Sequence, residues 1–72
     1  MVNVNKLKGK IVEANLNVSK VAEAIGIDDS TLYRKLRNSG ASITIKEANE
    51  MVKLLKLTSE EARLIFFSDI VA

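Results

Sequence analysis

The twenty residues from Asn17 to Leu36 read NVSKVAEAIGIDDSTLYRKL, and their spacing decides the fold. Asn17 is an N-cap for a helix from Val18 to Ile25 that buries Val21, Ala22 and Ile25. Gly26 ends that helix, since glycine takes the left-handed backbone that residues with a Cβ disfavour, and Ile27 behind it can tuck into the core. Asp28 and Asp29 then offer a fresh cap beside Ser30 and Thr31. The next helix runs to roughly Arg37 and buries Leu32 and Leu36, one turn apart.

The same helical spacing extends in both directions. Before Asn17, a helix from about Val4 to Asn15 presents Val4, Leu7, Ile11 and Ala14 as an inward stripe, with Lys6, Lys10 and Glu13 outward and Gly9 weakening it. After Leu36, Asn38 to Ser42 reads as a loop. Two capping boxes follow: Thr44 with Glu47 opens a helix over Ile45, Ala48, Met51, Val52 and Leu55, and Thr58 with Glu61 opens one over Ala62, Ile65 and Phe66. The alternation Ser42-Ile43-Thr44-Ile45 also fits a short strand, but the capping box favours a helix start. The chain is thus expected to be all-α, a compact bundle of about five short helices forming a single domain over residues 1–72.

Composition removes whole classes of chemistry. With no His and no Cys, the usual zinc ligands, the neutral-pH general base, the thiol nucleophile and any disulfide are missing. No nucleophile–base pair, phosphate-binding Gly loop or metal cluster is present, so no enzyme, metal or cofactor is expected. No apolar run approaches the ~18–20 residues that cross a bilayer. The N-terminus also lacks the apolar stretch of a secretory signal, so a cytoplasmic protein without membrane contact is expected.

Residues 18–37 fit the helix-turn-helix unit, two short helices joined by a Gly-containing turn, whose second helix enters the DNA major groove. An ordinary helical hairpin has the same apolar pattern, so the outward face carries the distinction. At 100° per residue, Asp29, Ser30, Tyr33, Arg34 and Arg37 lie opposite Leu32 and Leu36. Arg34 can fork onto guanine O6 and N7, and Ser30 can donate or accept at a base edge. Tyr33 either packs on the sugar-phosphate backbone or a thymine methyl, or closes the core. Lys35 and Arg37 are placed for phosphates, with Lys20, Asn38 and Lys46 alongside them and the helix starts near Asn17 and Thr44 offering backbone N–H groups. Asp28 and Asp29 repel phosphate; capping explains at least one of them, and a carboxylate can read only an amino group such as cytosine N4.

Eight Lys and three Arg against nine acids leave a net charge of only +2, but the distribution is uneven. Residues 1–46 carry +4 and residues 47–72 carry −2. Between Arg34 and Lys46 there are four cations and no acid, which puts positive charge where a DNA backbone would run.

The segment Asn17–Leu36 resembles the helix-turn-helix of the Cro and phage-repressor class, the XRE family, through Ala22, Gly26, Ile27 and Leu32. The order of five helices extends the resemblance across nearly the whole chain. The run from Ser30 to Leu36 is also similar to resolvase-type DNA-binding domains. The XRE resemblance implies a lambda-repressor-like fold, with Asp29, Ser30 and Arg34 reading bases and Asn17 and Ser19 near a phosphate. Val18 stands where that family often has a Gln on the backbone, and paired acids at the head of the recognition helix also depart from its commoner pattern.

One recognition helix reads only a few base pairs, so a homodimer on a palindromic double-stranded operator is expected. The C-terminal stretch 58–72 offers the contact: Ile65, Phe66 and Phe67 are consecutive and cannot all face one small core, and Ile70 and Val71 add to the surplus. Phe66, Phe67, Ile70 and Val71 are therefore the expected dimer contacts, the alternative being that Phe66 completes the monomer core. The function expected from these features is a phage-type transcriptional regulator. The alternative is a helix-turn-helix-shaped antirepressor or modulator that binds another phage regulator.

Overall fold

The computed structural model describes residues 2–67. Its elements are α1 (Val4–Glu13), α2 (Val18–Ile25), α3 (Asp29–Arg37), α4 (Ile45–Leu55) and α5 (Ser59–Phe66), with no strand among the described residues. The fold is all-α, and the strand alternative at residues 42–45 is replaced by the start of α4.

Helix starts follow the side-chain caps. Asn3 and Asn17 accept from the backbone N–H of Lys6 and Lys20. Both capping boxes form, with Thr44 and Glu47 exchanging bonds of 3.0 and 3.0 Å and Thr58 and Glu61 bonds of 2.9 and 3.1 Å. Asp28 differs. It occupies the N-cap position of α3 with extended backbone, but its carboxylate accepts no capping hydrogen bond.

Helix ends share one device. After α1, α2, α3 and α4, a left-handed residue at Asn15, Gly26, Ser39 or Lys56 turns the chain. The next amide then reaches back five residues: Leu16 to Ile11, Ile27 to Ala22, Gly40 to Lys35 and Leu57 to Val52, at 2.8–3.0 Å. This is the Schellman arrangement, which satisfies carbonyls the helix leaves open. In three cases the residue after the left-handed one is Leu16, Ile27 or Leu57, packed against the core, and the residue after that is the N-cap of the next helix. The α2–α3 and α4–α5 connections are therefore only three residues long, and the α1–α2 connection four.

Helix α2 is central and packs on α1, α3 and α4, while α5 closes over α1. Leu7, Ile11, Val21, Leu32, Met51 and Ile65 are almost fully enclosed, together with Ala22 and Ala48, where small side chains let helices approach. Ala14 and Ile45, expected inside, are exposed. α1 has already ended before Ala14, so Leu16 beyond the turn supplies the apolar side chain instead. Ile45 is the first residue of α4 and lies to one side of the stripe of Ala48, Met51, Val52 and Leu55.

The N-terminal residues form a strap that the sequence did not announce. Asn3 N–H donates to the Ile65 carbonyl at 2.7 Å, and Val2 lies against Gly40. One short segment thus joins α5 to the turn after α3.

Candidate nucleic-acid interface

Helix α3 is held from below and open above. Leu32 and Leu36 are buried, while Asp29, Ser30, Tyr33, Arg34 and Arg37 are all exposed, as helical spacing predicts. Tyr33 is 44% exposed, so its ring does not close the core. Ile27 and Leu32 belong to, or pack against, the common core, so the three-residue turn Gly26-Ile27-Asp28 holds α3 rigidly against α2. Truncating Leu32 to Ala would cost about 2–5 kcal/mol and would also release the helix it anchors.

Exposed cations lie on α2, α3 and α4. Arg34 and Arg37 on α3, Lys20 on α2 and Lys46 on α4 make no ion pair among the described residues. Arg34, Lys35 and Arg37 also lie in the last turn of α3, where positive charge complements the helix dipole. Asn17, Asn38 and Thr44 are exposed at helix ends. The Asn17 carbonyl oxygen and the Thr44 hydroxyl are, however, engaged as caps, and the Thr44 N–H donates to Glu47.

Two residues behave differently from the reading of the sequence. The Lys35 ammonium, expected at a phosphate, turns toward α4 and donates to both carboxylate oxygens of Glu47, at 2.7 and 2.9 Å. The two side chains are only 12% and 15% exposed. An ion pair shielded to this degree holds its partners more firmly than a surface pair, which removes Lys35 from the outward cations. Ser19, also expected near a phosphate, donates its hydroxyl to Asp29 Oδ2 at 3.1 Å. Asp29 therefore faces outward as a positioned acceptor and is not a cap.

Glu47 was legible as a capping-box residue, and such a glutamate has acceptor capacity beyond its one backbone bond. Which cation fills it is a tertiary matter. Glu61 repeats the arrangement: it accepts Thr58 N–H and the ammonium of Lys10 on α1. Each capping-box carboxylate thus ties its own helix to another one.

The expected dimer contacts divide. Phe66 is 7% exposed and part of the core, so it is not a surface contact; it sits on the inward face of α5 with Ala62 and Ile65. Phe67 is half-buried against the same core, its ring centroid 6.1 Å from that of Phe66. Ile70 and Val71 lie outside the described residues. An apolar trench that the sequence did not reveal runs beside α3, lined by Val12, Leu16, Val18 and Tyr33, with Val12 71% exposed.

No helix among the described residues is long and apolar enough to cross a membrane. Comparison of the chain with protein-family models, with curated proteins and with solved structures finds no match. The functional reading therefore rests on the residues and their geometry.

Proposed function

We propose that this chain is a sequence-specific DNA-binding regulator that lays α3 in the major groove of duplex DNA. The observation that carries the reading is the division of α3. Its inner side is fixed by Leu32 and Leu36, and its outer side presents Ser30, Arg34 and Arg37 to solvent; Lys20 on α2 and Lys46 on α4 are exposed as well. Arg34 is the bidentate reader of a guanine, Ser30 a donor or acceptor one turn before it, and Asp29 an acceptor for an exocyclic amine. Lys20, Arg37 and Lys46 meet phosphates. Two copies on a palindrome supply the specificity that one short helix lacks. In this reading the protein is a repressor of the phage Cro and XRE type.

Selection from random duplexes, carried out at two salt concentrations, tests the reading. A recurring motif whose enrichment survives higher salt supports base readout, whereas a folded protein that retains no sequence preference at low salt refutes it.

The exposed trench of Val12, Leu16, Val18 and Tyr33 favours a second reading, in which the surface beside α3 binds another regulator protein. Capture of a partner repressor together with a flat response to DNA supports that alternative.

A further inference from the structure

Helices α3 and α4 share little direct packing, since α2 lies against each of them separately. The polar link between them is the pair of Lys35 and Glu47. Lys35 lies near the outer end of α3, two residues before its last residue, Arg37, and Glu47 lies in the first turn of α4. Glu47 Oε1 is shared: it accepts the Thr44 N–H that closes α4 and the ammonium that reaches over from α3. With Oε2 also bonded, the carboxylate is engaged at both oxygens and Lys35 is held off the outward face.

We propose that Glu47 is a positioning residue for the recognition helix: its carboxylate anchors the outer end of α3 through Lys35 and withholds one positive charge from the DNA backbone. The proposal rests on α3 being the DNA-reading helix. Its consequence is selectivity. A lysine free to meet phosphate strengthens binding to every sequence equally, whereas a lysine held by Glu47 leaves discrimination to Ser30, Arg34 and Asp29.

The test is the salt dependence of DNA affinity in Glu47→Gln, Lys35→Gln and the double variant, with folding checked by circular dichroism. Gln at position 47 can still accept the Thr44 N–H, because the capping box tolerates Gln, so α4 keeps its start. Glu47→Gln releases the ammonium, and the slope of log K against log salt steepens by about 0.9, the value for one added phosphate contact. Affinity for random duplex rises with it, and the ratio of specific to random binding falls. Lys35→Gln leaves the slope at the wild-type value, and the double variant restores that value.

A slope that falls by about 0.9 in Lys35→Gln would mean that Lys35 already meets phosphate, and would overturn the proposal. A slope unchanged in Glu47→Gln overturns it equally. A merely structural link would shift the urea midpoint and leave every slope alone. Wild-type protein that binds no duplex DNA refutes the DNA-binding reading, and the recognition role of Glu47 with it. The tie between helices is then judged separately: if it is real, the double variant unfolds at a urea midpoint no lower than the weaker single variant.

Discussion

The hydroxyl of Ser19, in the first turn of α2, donates to Oδ2 of Asp29, the first residue of α3, across 3.1 Å. The bond spans the turn of the helix pair and ties the heads of both helices at the surface proposed to meet DNA. It uses the serine proton and leaves a carboxylate that can only accept.

A fixed acceptor at the head of α3 predicts a preference for a base bearing an exposed amine, with cytosine N4 the best match. Asp29→Asn restores donor capacity, and adenine is expected to gain at that position by about 1–3 kcal/mol relative to cytosine. Ser19→Ala keeps the carboxylate but frees its rotamer, so the preference is expected to weaken without changing identity. Competitive binding of duplexes that differ at single positions measures both effects.

Arg34 and Lys46 are both exposed cations and are expected to fail in different ways. Arg34→Ala should cost about 1–3 kcal/mol on the preferred duplex and flatten one base position. Lys46→Ala should weaken all duplexes alike and reduce the salt slope by about 0.9. If Arg34→Ala also lowers every sequence equally, Arg34 is a phosphate contact.

Acid should loosen the bundle through its two capping-box glutamates. Partial burial pushes the Glu47 carboxyl up, but the Lys35 ammonium and the Thr44 N–H outweigh it and leave the group below its ordinary 4.5. The hydrogen bond from Lys10, followed by the Thr58 N–H, holds Glu61 below the same value. Such carboxyls bind protons more readily when unfolded, so their stabilisation is full above 4.5 and is lost as pH falls through the folded value. Lys10 has the opposite sense: the Glu61 hydrogen bond leads the causes that raise it above 10.5, so its contribution is full below 10.5 and disappears as pH rises through the folded value. Urea midpoints are expected to fall as pH drops below 4.5, less steeply in Glu47→Gln; a flat profile there contradicts the assignment.

Gly40→Ala is expected to destabilise by about 2 kcal/mol or more, as a left-handed backbone and an overpacked site combine. Gly40 has φ of 71°, and an added Cβ would stand 2.6 Å from the Cβ of Val2, which is not a flexible side-chain tip. Thermal unfolding measures the loss. Removing the Val2 side chain in Val2→Gly should recover part of it, because the steric contribution then disappears.

Lys56→Gly should have the opposite sign. Lys56 is exposed and ends α4 at φ of 53°, a conformation that costs a residue with a Cβ about 1–2 kcal/mol. Glycine relieves that cost and loses some of the gain to chain entropy, so a net stabilisation of about 0.5–1 kcal/mol is expected by thermal or urea unfolding.

Helix starts were more legible than helix ends. Asn17, Thr44 and Thr58 cap through bonds to residues three positions on, and such bonds are local enough to read from spacing. Among the ends, Gly26 announced its left-handed turn. Asn15, Ser39 and Lys56 make the same turn without glycine, because an apolar anchor or a neighbouring strap holds the chain there. That difference is why α1 stops at Glu13 and not at Asn15, and why Ala14 falls outside the core.

The sequence by itself determined the number and order of the helices, the caps at Asn17, Thr44 and Thr58 and the outward row of Asp29, Ser30, Tyr33, Arg34 and Arg37. These depend on residues within one or two turns of each other. Only the tertiary structure decided that Phe66 belongs to the core, that Val2 and Asn3 strap α5 to the turn after α3, and that Lys35 answers to Glu47 and Lys10 to Glu61. Those partners stand 12 and 51 residues apart along the chain. A lysine at helical spacing looks the same whether water, a phosphate or a distant carboxylate receives it, and the packing of α2 between α3 and α4 brings that carboxylate within reach.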